Sequence, residues 1–267
     1  MQAVILAAGR ARRLGPIGES LPKCLVRIGG RPLIAYSLDS LVQRGVREIT
    51  IVTGHRDGAI QDALGAHHLG VRVHYRFNPH YRHTGSLVSL MLGASDLDAP
   101  NLLVLESDLL YHPGFLDAAM AAADDTLLVA DASGSGDEVF VCRGPDHRLS
   151  YLGKDASPRQ REDSIGEYAG IARLSAGFCA VYRREAERLL RAGRAAGHYE
   201  DLIFDLAKTG HAIGVRHCPF LPWTEIDTVE DIERATNAVY PALRHIWERA
   251  PREPGAAANR DDLSIAS

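Results

Sequence analysis

The first part of the chain alternates between two apolar patterns. Ala3-Val4-Ile5-Leu6-Ala7-Ala8 is a short unbroken apolar run, the pattern of a strand buried on both faces, and Gly9 ends it. From Pro32 to Val42 apolar residues recur at helical spacing, with proline suited to the first turn. "REITIVTG" (47–54) predicts a second strand, "DGAIQDALG" (57–65) a helix closed by glycine, and "VRVHYRF" (71–77) an alternating third strand. "SLVSLMLGASDL" (86–97) returns to helical spacing, and "NLLVLESD" (101–108) is a buried strand ending in acid. Strand–helix alternation of this kind predicts an α/β fold, a mostly parallel sheet with helices on both faces.

The second half changes character. "TLLVADA" (126–132), "DEVFVCRG" (137–144), "RLSYLGKD" (148–155) and "GEYAGIARLS" (166–175) are strand-like pieces separated by polar turns. Helices over 176–192 and 199–209 follow, then a strand at "IGVRHCP" (213–219), the piece "LPWTEID" (221–227), and a helix from Thr228 to about Val239. From Pro251 onward "PREPGAAANRDDLSIAS" has the composition of a disordered tail. With no internal repeat and no linker rich in Pro, Gly or Ser, the expected organisation is one domain over 1–250 and a tail over 251–267.

Composition narrows the partners. The 267 residues are 46% hydrophobic and 24% charged, enough to bury one sizeable core. A net charge of −4 and a pI near 6.3 give no global basic field for nucleic acid or a membrane surface. Cys24, Cys142, Cys179 and Cys218 form no C-x-x-C pair, which argues against a zinc site or disulfide framework and fits a reducing cytoplasm. The N-terminus lacks a basic segment followed by a long apolar one, and no apolar stretch reaches roughly 18 residues. A cytosolic globular protein is expected, with a homo-oligomer left open. No G-x-S-x-G elbow is present and the histidines are scattered, His67-His68 in an expected loop, so no covalent nucleophile stands out.

The strongest chemical signal is "LAAGRARRL…LPKCL" (6–25). Gly9 at a strand end lets backbone N–H groups approach an anion closely. Arg10, Arg12, Arg13 and Lys23 add positive charge at the same point, as a nucleoside triphosphate requires. The plain alternative is a tight turn with solvated arginines. The segment resembles the nucleotidyltransferases that join a nucleoside triphosphate to a phosphorylated metabolite, whose signature is approximately L-A-A-G-x-G-x-R-L followed by P-K-x-L. Leu6, Ala7, Ala8, Gly9, Arg13, Leu14, Pro22, Lys23 and Leu25 match, while Ala11 stands where a second glycine is usual. The resemblance implies a Rossmann-like nucleotidyltransferase fold with a small β-rich insertion over the acceptor pocket. It also implies a nucleotide-binding loop made by Leu6, Ala7, Ala8, Gly9, Arg10, Ala11, Arg12 and Arg13, with Arg13 and Lys23 neutralising phosphate charge.

Three further constellations carry candidate residues. Acids at "LLVLESD" and "WTEID" can converge on a hard cation, and Mg²⁺ favours one or two carboxylates plus phosphate oxygens. Asp227 reads equally well as a cap for the helix that follows. The resemblance implies Mg²⁺ on Asp108 and Asp227, with Glu225 and Glu106 as further candidates and Glu106 close to the nucleotide. Thr84, Gly85 and Ser86 open a helix as an ordinary cap would. The resemblance puts them beside the base. Lys154, after a strand, can bind a second phosphoryl group as a point charge. Glu167, Tyr168, Glu200 and Asp201, with Tyr199 and Trp223 as nearby aromatics, are candidates for an amine, although each taken alone reads as an ordinary surface residue.

The "GEYAGIARLS" and "YEDLIFDL" pieces are similar to those of cytidylyltransferases acting on phosphonates or phosphocholine, a likeness that covers roughly residues 1–240. The expected reaction joins CMP from CTP to a small phosphonate, with 2-aminoethylphosphonate as first choice, and releases pyrophosphate. Few aromatics and several acids favour a primary ammonium over choline. Phosphocholine or a sugar 1-phosphate is the alternative acceptor, and a degenerate nucleotide-binding regulator is the alternative outside enzymes.

Overall fold

The structure, a computed structural model, describes residues 1–95 and 99–248. The tail expected over 251–267 lies outside the described residues. Ten of the described strands join one sheet. Gln2–Ala7 lies at its centre, parallel to Glu48–Thr53 on one side and to Asn101–Glu106 on the other, and Val71–Phe77 continues the parallel half. Beyond Asn101–Glu106 the sheet turns antiparallel. The long strand Ser164–Ser175 pairs with it, then with Thr126–Ala130 and Phe140–Arg143, and Leu149–Gly153 closes that edge. The β-rich segment expected as an insertion is therefore continuous with the main sheet.

The unbroken apolar run has its cause in two-sided burial. Val4 and Leu6 pack on one face with Leu87, Val88, Leu90 and Met91 of the helix Ser86–Gly93, and with Phe178, Tyr182, Leu202 and Ile203 of Ala176–Arg191 and Tyr199–Lys208. Ala3, Ile5 and Ala7 pack on the other with Ile34, Leu38 and Leu41 of Leu33–Gln43, Ile60 of Asp57–Leu64, and Phe115 and Leu116 of Gly114–Met120. Each fully buried Leu or Ile contributes about 1.5–3 kcal/mol, so these alternating contacts fix the register of the central strand.

A third cluster sets the site. Leu14, Val26, Ile28, Leu33 and Tyr36 pack with Leu110, Ile226, Val239, Leu243 and Trp247. This binds the segment after the first strand, and the short strand Trp223–Glu225 paired with Leu109–Tyr111, to the end of the sheet. The last helix runs through a π turn at Ala235–Val239 and on to Tyr240–Glu248, past the Val239 limit read from sequence, because Leu243 and Trp247 continue the buried stripe. His67–His68 forms a short strand against Val71–Arg72 where a loop was expected. The turn is made by Leu69 and Gly70, both left-handed, and leucine is not a turn signal. Among the described residues no helix is long and apolar enough to cross a membrane.

Candidate active site

The parallel strands Gln2–Ala7 and Asn101–Glu106 end side by side, with Leu6 opposite Glu106. Beyond their carboxyl ends opens a cleft of about 530 Å³, the place where open α/β sheets bind ligands. One wall is the segment Leu6–Arg13 with Pro22 and Lys23, another carries Thr84, Gly85 and Ser86, and Lys154, Glu167, Tyr168, Tyr199 and Glu200 face them. Ala11 has φ 52°, left-handed backbone that favours glycine. The conformation accounts for the glycine usual at that place. Gly18 permits the loop to fold back, since a Cβ there would meet the Ala11 carbonyl oxygen at 1.9 Å.

Charge is arranged in pairs. The Lys23 ammonium lies 2.9 Å from Asp108 Oδ2 and also pairs with Asp227 Oδ1. Arg13 reaches Asp227 Oδ2 at 2.6 Å and pairs with Asp137, which in turn lies 2.8 Å from Lys154 Nζ. Burial works against the Lys23 charge, but Asp108, Asp227 and Glu225 outweigh it and raise its pKa above the ordinary value. Burial likewise pushes the Asp227 carboxyl up, while Lys23 and Arg13 prevail and hold it below the usual range. The cap of the following helix is Thr228, reciprocally bonded with Asp231, which leaves the Asp227 side chain to the two cations.

Glu106, Asp108 and Glu225 each offer a carboxylate oxygen within 4.8 Å of the others. Burial and the neighbouring carboxylates push Glu106 and Glu225 well above the ordinary glutamate range. Like charges held this closely, in a hard-oxygen set, fit a divalent cation such as Mg²⁺. The sequence put Asp108 and Asp227 first for that role, with Glu225 and Glu106 as further candidates; the structure groups Glu106 with Asp108 and Glu225 and sets Asp227 against Lys23 and Arg13.

On the wall that carries Lys154, the buried Tyr168 and Tyr199 hydroxyls lie 2.7 Å apart, and Tyr199 donates to Glu106 Oε1 at 3.0 Å. Burial raises both phenols far above their ordinary pKa, so they stay neutral donors. Glu200 is 8% exposed, and its Oε2 is buried without a hydrogen-bond partner. Glu167 Oε2 accepts from Ser133 N at 2.8 Å. Asp201 and Trp223 are not on the cleft wall. Asp201 Oδ2 accepts from His198 N at 2.9 Å to cap its helix, and Trp223 Nε1 donates to the Asp131 carbonyl at 3.2 Å.

On the wall that carries Thr84, Gly85 and Ser86 the polar groups are already tied. Thr84 donates to the His80 carbonyl at 3.0 Å, and Ser86 Oγ accepts from Tyr199 N at 2.9 Å. Gly85 lies against residues 196–197, where a Cβ would meet the Gly197 carbonyl oxygen at 2.1 Å. Sequence reasoning missed Asn78, Tyr81, Arg82 and Ser89 on this wall and Asp137 between the cations. The Asn-Pro dipeptide at 78–79 was the available signal, and Asn78 does lock the turn, bonding Ser89 Oγ at 3.2 Å and His80 N at 2.9 Å.

A model of the MobA-like NTP transferase domain matches residues 3–206. A CMP-5'-(3-aminopropyl)phosphonate synthase from Streptomyces rubellomurinus is 30% identical over 240 residues, 88% of this chain and 38% of that protein. A choline-phosphate cytidylyltransferase from Streptococcus pneumoniae is 36% identical over 108 residues, 40% of this chain and 44% of that one. The chain thus spans less than half the length of either relative. The inositol-1-phosphate CTP transferase from T. maritima superposes with a TM-score of 0.78 at 20% identity, covering 94% of this chain and 98% of that one, a likeness of fold.

Proposed function

We propose that this chain, which belongs to the MobA-like NTP transferase domain family, transfers CMP from CTP to a small amine-bearing phosphonate, 2-aminoethylphosphonate first among the candidates, and releases pyrophosphate. One observation carries the reading. A single cleft sets two groups of phosphate-binding cations, Lys23 with Arg13 and Lys154, on either side of one carboxylate, next to the Glu106–Asp108–Glu225 trio. Two phosphorylated substrates brought to one point need that arrangement. The choice of cytidine is supported by the activities named for the two relatives, and that of an aminoalkylphosphonate acceptor by the Streptomyces relative.

An acceptor oxygen attacks the α-phosphorus, forming the new P–O bond as the bond to the pyrophosphate oxygen breaks. A phosphoryl second pKa near ~6 leaves that oxygen ionised at neutral pH, so no side chain has to remove a proton. Lys23 and Arg13 hold the triphosphate and meet the charge that grows on the leaving group, while Lys154 orients the phosphonate. Mg²⁺ held by Glu106, Asp108 and Glu225 would neutralise phosphate oxygens when bound. Glu200 Oε2 is buried and lacks an N–H donor, and the acceptor ammonium supplies one between it and the Tyr168–Tyr199 pair.

Pyrophosphate release tests this with CTP, UTP, GTP and dTTP against 2-aminoethylphosphonate, phosphocholine and glucose 1-phosphate. CTP with aminoethylphosphonate is expected to give the highest kcat/KM. Preference for glucose 1-phosphate with UTP or dTTP, or no release from any pair, overturns the reading.

A further inference from the structure

Asp137 occupies a place that neither substrate assignment requires. It sits in the loop between Thr126–Ala130 and Phe140–Arg143, and its Oδ2 alone pairs with both Arg13 NH1 and Lys154 Nζ. Those cations are assigned to opposite substrates. Partial burial pushes the Asp137 carboxyl up, but hydrogen bonds from Lys154 and Arg13 outweigh it and hold it below its ordinary value. An oxygen shared by a guanidinium and an ammonium has the charge and donor set of a phosphoryl oxygen at that point. Gly134 and Gly136 are both left-handed, with open space where a Cβ would stand, and the Ser135 and Asp137 N–H groups donate to the Ser133 and Ser135 hydroxyl oxygens.

We propose that Asp137 is an internal stand-in for the transferred phosphoryl group, cross-linking Arg13 and Lys154 in the empty cleft so that the first substrate to bind frees the cation the second needs. The proposal rests on the cytidylyltransferase reading of the cleft. Because one oxygen makes both contacts, it cannot keep one once a phosphoryl oxygen of like charge takes its place. Nucleotide and acceptor therefore bind with positive coupling, and each tightens the other by the same factor. All three side chains are partly exposed, so each contact is a near-surface ion pair. Such a pair changes affinity by roughly two- to fivefold.

Calorimetric titration tests this with an α,β-methylene analogue of CTP, which cannot react, and with 2-aminoethylphosphonate, each alone and each in the presence of the other. In the wild type, saturating analogue is expected to tighten the acceptor several-fold. Asp137→Asn is expected to tighten each ligand alone by roughly two- to fivefold and to bring the coupling factor close to one. Glu138→Gln is the control for net charge, because Glu138 accepts from Gly136 N at 3.2 Å in the same loop. It is expected to keep the wild-type coupling. Coupling retained in Asp137→Asn, or equal changes in both variants, overturns the stand-in role while leaving the function reading in place. Binding of neither ligand by the wild type overturns both.

Discussion

Replacing Lys23 with methionine keeps the length of the side chain and removes its charge, which separates chemistry from folding. The ammonium is 18% exposed and pairs with Asp108 and Asp227, themselves 13% and 11% exposed. Removing one partner of a fully buried ion pair costs about 3–5 kcal/mol. With solvent still reaching these groups, about 1–3 kcal/mol is expected. For a domain of this size each kcal/mol moves Tm by roughly 2–4 °C, so Lys23→Met should lower Tm by roughly 2–12 °C. Loss of a charge aimed at the transition state costs far more, roughly 10²–10³ in rate. The assay is kcat/KM from pyrophosphate release, set beside thermal unfolding with and without Mg²⁺. The Mg²⁺-induced rise in Tm should be larger in the variant, because Asp108 and Glu225 no longer share the lysine. A rate loss below tenfold in a folded variant refutes the phosphate role of Lys23, and a loss that merely follows the unfolded fraction refutes it equally.

The carboxylate trio predicts that Asp108→Asn and Glu225→Gln each abolish metal-dependent turnover and that the double variant is little worse; additive losses, or full activity in EDTA, count against a shared ion. Glu200→Gln should lower kcat/KM for 2-aminoethylphosphonate by roughly 10–100-fold, the scale of a charged hydrogen bond, and barely alter that for 2-hydroxyethylphosphonate; equal losses refute the ammonium contact. Gly85→Ala should destabilise by roughly 1–3 kcal/mol because its Cβ would press on the backbone at 196–197, a cost read from chemical denaturation; unchanged stability would show that the two segments separate freely. The pH dependence of stability has two limbs. Glu106, Glu167, Glu200 and Glu225 are held above their ordinary 4.5, so the stability they contribute is full below 4.5 and is lost as pH rises through their raised values. Asp137 and Asp227 are held below 3.8, and their contribution is lost as pH falls through those lowered values. In EDTA, Tm should therefore rise as pH is lowered from neutral toward 4.5 and fall again in stronger acid, and a Tm that climbs toward neutral pH refutes the trio's mutual repulsion.

The sequence made the parallel half of the sheet readable because each strand there is an apolar run and each helix carries one buried stripe. Strand direction in the second half depends on partners far along the chain. Ser164–Ser175 pairs with three strands, and its shifts of register around Gly170 leave no local signature. The phosphate loop was readable as a linear motif, including its one departure, and the left-handed φ of Ala11 supplies the physical reason that place favours glycine. Asp227 was ambiguous because an acid before a helix caps as readily as it pairs. Only the Thr228–Asp231 box removes the first role. Asp137 carried no signal, since an Asp-Glu pair after a Ser-Gly loop looks solvated until Arg13 and Lys154 converge on Asp137.

A cleft meant for two anions should not be lined with as many acids as bases, yet this one presents Glu106, Asp108, Asp137, Glu167, Glu200 and Glu225 against Arg10, Arg12, Arg13, Lys23, Arg82 and Lys154. Pairing within the cleft resolves the conflict. Asp137 and Asp227 pair with the cations, Glu167 accepts from Ser133 N in the loop, and burial with mutual repulsion raises Glu106 and Glu225, a repulsion that a divalent ion would relieve. Glu200 Oε2 then remains, buried and without a donor, while Oε1 lies 3.9 Å from His198 Nδ1. A dianionic acceptor lacking an ammonium would leave that charge uncompensated and meet repulsion from it, whereas a zwitterion brings each missing charge to the group that lacks it. Discrimination between acceptors should therefore follow the ammonium more than chain length, so that 3-aminopropylphosphonate outperforms ethylphosphonate although it is the longer of the two.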